Sequence, residues 1–308
     1  MEYKLITSEF EKVLFVNAWE DAFSRKFNSQ DCSWIFSDRN NMYAIFDEDK
    51  IVAGYCLLDT KIVYNEKVVC GALCNNVFVR PDYQGLRLFV KISKFSLQKA
   101  EEQGVKIIIG IPNKNAVPGH KRVGWTFFNE INFLEKSYIR SSETIANDNI
   151  KVLNRENYGI YEDQLELFSL DIASKRTFSV LKEKGYFKWR YLEHLSTNYK
   201  MFIYIENNKV SGYIVYKFHE PLKRLHILDV EAANEEIFNE LMNVINTFEE
   251  PFNLVNVWES SIYNNYFFKA GFSLSAESNN LIAYVPQSQE TVLLGDQVNI
   301  VLGDNEVF

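Results

Sequence analysis

The chain has 308 residues, of which 47% are hydrophobic and 15% aromatic, and this supplies cores for two domains of about 150 residues each. Its formal net charge of -8 argues against a nucleic-acid partner, because phosphate backbones are bound by clustered basic surfaces. No apolar run approaches the roughly 18 residues of a membrane span, and the first residues lack the pattern of a signal peptide. We therefore expect a cytoplasmic protein without a membrane span.

Cysteine and histidine positions predict neither a metal site nor a disulfide framework. The four cysteines lie in the first quarter of the chain, without a C-x-x-C pair. The histidines of the second half have no metal-ligand spacing, and these are His194, His219 and His226.

The first predicted elements are a strand and a helix. Tyr3–Thr7 is predicted to be a strand, and Ser8 with Glu11 forms the capping box of a helix that runs to about Phe27. Residues 31–39 carry a short aromatic run that fits either the core or the wall of a pocket.

A meander of strands is predicted next. Met42–Phe46 and Ile51–Asp59 are joined by an acidic turn, and Lys61–Val69 adds another hairpin arm. The strand Leu73–Val79 follows, and it leads to a helix that ends at Gly104.

The stretch from Asn75 to Phe89, NNVFVRPDYQGLRLF, joins that strand to the helix through a tight polar turn. Such a turn leaves the first N–H groups of the helix without partners, and with the helix dipole they attract an anion such as a phosphate. The same kind of turn also occurs without any ligand, so both interpretations stay open on these residues alone.

A second stretch follows the apolar strand Val105–Ile111, which is predicted to be covered on both faces. Its sequence is PNKNAVPGHKRVGW and it ends at Trp125. Strands Trp125–Asn129 and Phe133–Ile139 are predicted to complete a first domain, and the polar segment 141–149 is predicted to be a linker.

The first stretch resembles the central motif of the GCN5-related N-acetyltransferases, the GNAT superfamily. That motif is written V-x-P-x-x-[QR]-x-x-G-x-[GA], and Val79, Pro81 and Gln84 match it. Arg87 and Phe89 stand where the family has small residues.

The second stretch is similar to the second half of the family pattern. There, an Asn precedes a short helix that ends in Tyr-x-x-x-Gly-Phe. Asn115 matches the Asn, His120 occupies the Tyr position, and Gly124 with Trp125 matches Gly-Phe.

The resemblance implies acetyl-CoA, or another acyl-CoA, as co-substrate, a small-molecule amine as acceptor, and no metal. In the family, the key strand splays from its neighbour and frees a backbone N–H for the thioester, which here falls at Phe78 or Val79. The pyrophosphate would lie on the turn, where Arg87 either adds a charge-assisted contact or is a solvated residue. The implied coenzyme-binding residues are Val77, Phe78, Val79, Gln84, Gly85, Leu86, Arg87, Leu88, Phe89 and Asn115.

The resemblance also implies candidate catalytic residues. His120 occupies the position of a tyrosine that protonates the departing thiolate, and an imidazole with a pKa near 6.5 exchanges protons at neutral pH. The alternative is a histidine at a helix start with no chemical role. The family's glutamate base is missing from residues 71–80, so Asn75 or Asn76 is expected to orient a water or the acceptor. More distant candidates are Asp31, Asp82 and Tyr83.

The second half repeats the first in weaker form. Residues 208–213 echo residues 49–55, and Lys269–Phe272 echoes Arg122–Trp125. In this second half, the predicted strand Leu225–Val230 is followed by three carboxylates, Glu231, Glu235 and Glu236. Their negative charge would repel a pyrophosphate. We therefore expect no coenzyme in this half.

A helical segment is predicted between the two halves, from about Glu162 to His194. Its aromatic and basic cluster Tyr186–Tyr191 is expected to face either the active-site cleft of the first domain or the core between the domains.

Together these patterns predict an α/β (α+β) fold with two GNAT-like domains, each a mixed, mostly antiparallel sheet flanked by helices. Residues 1–145 would hold the acyl-CoA site, and residues 146–308 would form a degenerate domain that contributes to the acceptor pocket. The expected function is an acyl-CoA dependent N-acyltransferase, with an amino sugar of a bacterial surface-polysaccharide pathway as acceptor by analogy. The alternative is a non-catalytic scaffold or acyl-CoA sensor. An aminoacyl transferase that uses charged transfer RNA is disfavoured by the acidic balance.

Overall fold

The computed structural model describes residues 1–28, 39–64, 67–138, 147–194, 196–286 and 298–305, and the chain divides into two units. The first unit comprises Met1–Ile62, Val68–Glu130 and Asn279–Leu293, and the second comprises Val63–Lys67, Ile131–Ser278 and Leu294–Phe308. The predicted aromatic run within residues 31–38 and most of the predicted linker, residues 141–146, lie outside the described residues.

The first unit contains the predicted elements of the N-terminal half in the predicted order. Its strands are β1 (Glu2–Leu5), β2 (Asn40–Asp47), β3 (Lys50–Tyr64), β4 (Lys67–Val79) and β5 (Ile107–Gly110). Its helices are α1 (Glu9–Phe23), α2 (Leu88–Glu102) and α3 (Val117–Lys121), with a 3-10 turn at Pro81–Tyr83. The predicted hairpin arm Lys61–Val69 is not a separate strand, because β3 continues to Tyr64 and β4 begins at Lys67.

Local sequence sets both ends of α1. The Ser8 hydroxyl accepts a hydrogen bond from the Glu11 N–H, and the Glu11 carboxylate accepts one from the Ser8 N–H, each at 3.3 Å. The predicted capping box is therefore confirmed. Hydrogen bonds from Lys4 and then from backbone N–H groups hold the pKa of the Glu11 carboxyl at about 2. The helix ends before the predicted Phe27, because Ser24 adopts a left-handed backbone.

The first unit's sheet has the strand order β1-β2-β3-β4-β5. The pairs β1–β2 and β2–β3 are antiparallel, whereas β4 and β5 are parallel, from Gly71–Ile107 to Cys74–Gly110. Helix α1 packs on one face through Phe15, and α2 packs on the other face through Ile92.

The last strand of this sheet comes from the C-terminal half of the chain. Residues 279–284 of β13 (Ser273–Tyr284) belong to the first unit and pair antiparallel with β5, so that Ile282 lies opposite Gly110. The sequence instead predicts two strands after Trp125, and the structure has one continuous strand, β6 (Thr126–Ser137).

The prediction that the strand Phe133–Ile139 belongs to the first sheet is therefore wrong for its described residues 133–138. Residues 131–137 belong to the second unit, where Phe133–Ser137 pairs with β12 (Leu254–Trp258). Apolar alternation shows that a segment is a strand and which face it buries, but it does not select the neighbouring strand. The domain boundary at residue 145 stays a prediction.

The second unit repeats this order of elements. Its further strands are β7 (Ile150–Leu153), β8 (Phe178–Leu181), β9 (Tyr199–Glu206), β10 (Lys209–His219), β11 (Arg224–Ala232) and β14 (Val298–Asn299). Its helices are α4 (Tyr158–Ala173), α5 (Glu235–Asn243) and α6 (Asn264–Lys269), with single helical turns at Lys188–Leu192, Glu220–Leu222, Val244–Thr247 and Leu302–Asp304. The sheet order is β6-β12-β11-β10-β9-β7, in which β11 and β12 are parallel and the other pairs are antiparallel.

Two predictions for the second half are corrected. The segment from Glu162 to His194 is not one helix, because β8 interrupts it with the β-favouring run Phe-Ser-Val-Leu. Glu231 does not stand at a helix start but is buried within β11, and α5 begins after Asn234, which caps the Ile237 N–H at 2.9 Å. Among the helices described, none combines the length and the apolar character of a membrane span.

Replacement of Ile282 by Ala should loosen β5. Ile282 is 1% exposed opposite Gly110, and loss of its side chain leaves a cavity that costs about 2–4 kcal/mol. Amide hydrogen exchange at residues 107–110, read by mass spectrometry, should rise. The control is Leu274→Ala in the same strand, because Leu274 is 60% exposed. Unchanged exchange in β5 of Ile282→Ala would contradict the pairing.

Candidate functional site

A bulge interrupts β4 at Asn76. Cys74 and Val77 both pack on the face of the sheet that α2 covers. In a regular strand, side chains three residues apart would point to opposite faces. Phe78 packs on the opposite face, which α1 covers. Asn76 has a φ of 45°, in the left-handed region that Asn tolerates, and its Oδ1 accepts a 3.0 Å hydrogen bond from the Trp19 indole N–H. Asn76 is therefore the extra residue that shifts the alternation.

The parallel pairing of β4 and β5 ends next to this bulge. Its last pair joins Cys74 to Gly110, where β5 also ends, while β4 continues to Val79. On the other side, the Arg80 N–H donates to the Val52 carbonyl at 2.9 Å, so the chain stays attached to β3. Residues 75–79 of β4 therefore lie past the end of its pairing with β5, and we call this edge of the strand the first slot.

The turn before α2 has the features of an anion site. Residues 84–87 are exposed, and a Cβ added to Gly85 would meet nothing within 4 Å. In the part of the chain that the structure describes, no backbone carbonyl accepts the N–H groups of residues 85–87, and no side chain caps this helix end. These N–H groups and the positive end of the helix dipole attract an anion.

Arg87 holds a backbone conformation that favours glycine. Its φ is 58°, which costs a residue with a Cβ about 1 kcal/mol. The predicted motif has a glycine here, and the left-handed backbone is the physical reason for that preference. The exposed guanidinium of Arg87 places a positive charge beside the uncapped N–H groups.

Phe89 and Gly119 form a matched large and small pair. A Cβ added to Gly119 would meet the Phe89 ring at 2.5 Å, closer than side chains approach in practice. The missing side chain on α3 therefore accommodates a large residue at position 89, where the predicted motif has a small one.

His120 lies among three aromatic rings. It is 3% exposed, and its ring centroid is 4.9 Å from Trp125, 5.1 Å from Phe89 and 6.5 Å from Tyr55. Its Nδ1 is buried without a hydrogen-bond partner among the described residues. Burial lowers the pKa of this imidazole to about 4, so about one molecule in a thousand is protonated at pH 7.

Sequence reasoning missed two polar partners of this cluster. The Tyr55 hydroxyl and the Trp125 indole nitrogen are buried, and neither makes a hydrogen bond of normal length to a described residue. Burial raises the pKa of Tyr55 well above its usual value, and Cys74 and Trp125 lie close to its hydroxyl. Together with His120, these groups leave hydrogen-bonding capacity that a water or a ligand would satisfy.

Asn75 and Tyr83 differ in their surroundings. Both polar atoms of the Asn75 side chain are buried and lack a partner among the described residues. An unpaired buried amide costs about 1–3 kcal/mol, so Asn75 is the better candidate to bind a group in the first slot. The Tyr83 hydroxyl donates to the Asp47 carboxylate at 3.0 Å, and this contact raises the pKa of the phenol.

Asn113 and Asn115 precede α3 and differ in their hydrogen bonds. The Asn113 side-chain oxygen accepts a hydrogen bond from the Ala116 N–H at 3.0 Å. Asn115 is exposed, and no described hydrogen bond involves its side chain.

The predicted coenzyme-binding residues differ in how much of their side chains they expose. The side chains of Phe78 and Leu88 are 3% and 1% exposed, so only their backbone can meet a ligand. The side chains of Val77 and Val79 are half-buried on the α2 face beside the first slot. Gln84, Gly85, Leu86 and Arg87 form the exposed turn, Phe89 is half-buried and Asn115 is exposed.

Comparison with protein families gives one match. Residues 2–128 match a family described as "Acetyltransferase (GNAT) domain". No curated protein matches the sequence.

Comparison with solved structures extends the likeness to both halves of the chain. A GCN5-related N-acetyltransferase from Anabaena variabilis ATCC 29413 has a TM-score of 0.72 at 15% identity, covering 92% of this chain and 73% of that chain. A "Probable N-Acyltransferase" from Enterococcus faecalis V583 has a TM-score of 0.70 at 14% identity, covering 92% and 72%. A GCN5-related N-acetyltransferase from Kribbella flavida has a TM-score of 0.67 at 12% identity, covering 92% and 71%. At these identities the likeness shows the fold, and it confirms the predicted fold class.

The His120 imidazole should stay neutral down to about pH 5, because burial lowers its pKa to about 4. Proton NMR of the histidine C2–H resonances between pH 4 and 8 measures this, and the variant His120→Asn identifies the resonance. Among the four histidines, His226 should behave in the same way, since burial lowers its pKa to about 4 as well. Titration of His120 near pH 6.5 would contradict its burial and would restore its capacity to donate a proton at neutral pH.

Proposed function

Because residues 2–128 match the GNAT acetyltransferase family, we propose that this chain is an N-acyltransferase that takes the acyl group from an acyl-coenzyme A. The observation that carries the proposal is the bulge at Asn76, which follows the end of the β4–β5 pairing and belongs to the same strand-turn-helix segment as the uncapped start of α2. The first unit therefore combines a slot with an anion site on one strand-turn-helix segment.

The residues around the first slot fit an acyl-coenzyme A. The N–H groups of residues 85–87 would hold the pyrophosphate, with a charge-assisted contact from Arg87. Val77 and Val79 would contact the pantetheine arm with their half-buried side chains. Asn115 is proposed as a further coenzyme contact.

Bound acyl-coenzyme A supplies a thioester carbonyl that an amine attacks, with loss of a thiolate. The backbone N–H of Phe78 or Val79 lies past the last pair with β5, and we propose that it donates to the carbonyl oxygen as that oxygen gains charge. Asn75 would hold the acceptor, or a water next to it, because its amide otherwise remains buried and unpaired.

The proposed roles of His120 and Tyr83 are constrained by their protonation. A neutral imidazole is a weak acid, so the predicted transfer of a proton from His120 to the thiolate would draw on a small protonated fraction at pH 7. The Tyr83 phenol would have to release Asp47 before it could act. Both catalytic roles stay predictions, and the proton from the incoming amine is the other source for the thiolate.

We propose a small-molecule amine as the acceptor, with an amino sugar of a surface-polysaccharide pathway as the specific candidate. The contribution of the second domain to the acceptor pocket also stays a prediction. The rival function is an acyl-CoA sensor that binds the coenzyme without transferring the acyl group, and the missing glutamate in residues 71–80 favours it.

Isothermal titration calorimetry with acetyl-CoA tests the proposal. We expect one coenzyme per chain with a Kd between about 1 µM and 1 mM, the usual range for enzyme substrates. The variant Leu86→Glu should weaken binding about tenfold or more, because it adds a carboxylate to the anion turn on a side chain that is 51% exposed. The control Val68→Glu adds the same charge at a site that is 57% exposed in β4.

The outcomes separate the candidate functions. Binding that Leu86→Glu weakens, followed by turnover on a panel of primary amines, supports the acyltransferase. Binding without turnover supports the sensor. Absence of binding at millimolar coenzyme refutes both.

Replacement of Arg87 by Gly should have opposite effects on stability and on coenzyme affinity. Relief of the left-handed Arg should raise the free energy of unfolding by up to about 1 kcal/mol. Loss of the guanidinium should weaken coenzyme binding about fivefold and reduce its salt dependence. Thermal unfolding and calorimetry at two salt concentrations measure the two effects.

The control for Arg87→Gly is Lys94→Ala, which removes an exposed charge from the same helix. It should leave coenzyme affinity unchanged. If Arg87→Gly and Lys94→Ala weaken binding equally, Arg87 acts only through the overall charge of α2.

A further inference from the structure

The second unit repeats the strand arrangement that opens the first slot. The parallel pairing of β11 with β12 ends at His226 and Asn256, while β11 continues to Ala232. Consecutive residues of β10 pair with Asp229 and Ile227, so Leu228 is an extra residue in β11. The bulge and the end of the parallel pairing thus coincide in the second unit as they do in the first.

The C-terminal segment Val298–Asn305 fills the resulting second slot. Its residues 299–302 line a cavity of about 10 Å³ together with Leu228–Val230 of β11 and Val257–Trp258 of β12. A cavity of this size holds at most one water. Within the segment, Leu302 is fully buried and Asn299 is 3% exposed.

The second unit binds the backbone of this segment with side chains, as a receptor binds a peptide. Arg190 is 2% exposed, and it donates to the Gly303 carbonyl at 2.9 Å and to the Asn305 carbonyl at 3.2 Å. The Ser261 hydroxyl donates to the Val298 carbonyl at 2.9 Å and accepts from the Val298 N–H at 3.1 Å. Val298 and Asn299 also pair in parallel with β8.

The segment also satisfies a buried carboxylate. Glu231 is 5% exposed and accepts hydrogen bonds from Arg176 at 3.0 Å and from the Tyr263 hydroxyl at 2.7 Å. The side-chain amide nitrogen of Asn299 donates to the other carboxylate oxygen of Glu231 at 2.6 Å. The side-chain oxygen of Asn299 accepts from the Ser260 hydroxyl at 3.2 Å. Removal of Asn299 would leave a buried charge with one oxygen unpaired, which is costly.

The segment also adds a side chain to a cluster of buried charged residues. Arg176 pairs with Glu231 at 3.0 Å, Lys182 pairs with Asp229 at 2.8 Å, and Arg190 is buried as well. The third carboxylate, Asp304, comes from the segment. Burial raises the pKa of this carboxyl to about 6.

We propose that the second unit contains a peptide-binding site whose resident ligand is the chain's own segment Val298–Asn305, and that this segment closes the counterpart of the coenzyme slot. The inference depends on the geometry of the second unit and not on the proposed transferase activity. It explains physically why the second unit would bind no coenzyme, since the opening between β11 and β12 is already occupied.

The variant Gly303→Ala tests the proposal in the full-length chain. An added Cβ would meet the Tyr191 hydroxyl at 2.1 Å and the Leu228 carbonyl at 3.2 Å, so the segment should leave the slot. Hydrogen exchange at residues 226–232 and 298–305 should rise at least about tenfold. The control is Gly159→Ala on α4, where an added Cβ would meet nothing within 4 Å.

The second variant, Gly303→Ala with Tyr191→Phe, removes the hydroxyl responsible for the closest clash and should recover at least half of the lost protection on a logarithmic scale. Asn299→Ala should raise exchange in the same two regions without any clash. The proposal is overturned if residues 298–305 exchange like an unstructured peptide in the wild type. It is also overturned if Gly303→Ala and Asn299→Ala both match Gly159→Ala.

Discussion

The left-handed backbone of Asn76 is the constraint on which the candidate site depends. It inserts one residue into β4, and this insertion brings Val77 back to the α2 face while Phe78 enters the α1 core. The conformation costs about 1 kcal/mol, and the hydrogen bond from Trp19 to the Asn76 side chain offsets part of that cost. A regular strand would reverse these faces.

The two units show how one backbone arrangement supports different contents. Both have a bulge at the end of a short parallel pairing. In the first unit the strand is followed by an uncapped helix start and an exposed turn, which suits an anionic ligand. In the second unit Asn234 caps the corresponding helix, Glu235 and Glu236 occupy its first turn, and residues 298–305 lie in the slot. The side chains around each slot therefore decide what the slot holds, because the two units share the backbone geometry.

The sequence by itself determined the order of elements in the first unit, the capping box at Ser8 and Glu11, and the turn before α2. Each of these depends on residues within a few positions of one another, so local pattern is sufficient. It also indicated the weaker repeat in the second half. The assignment of Asn115 as a coenzyme contact stays a prediction.

Only the tertiary structure decided which strands are neighbours and which polar groups are buried. Alternation is the same whichever strand lies beside Ile282 or Phe133, so the exchange of final strands between the units left no local signal. The low pKa of His120 comes from burial among rings that the fold assembles from distant positions. Likewise, the sequence shows Glu231 as one of several carboxylates near a helix start, whereas the fold buries it against Arg176 and Asn299. Protonation and pairing depend on desolvation by residues remote in sequence, and local pattern does not encode that.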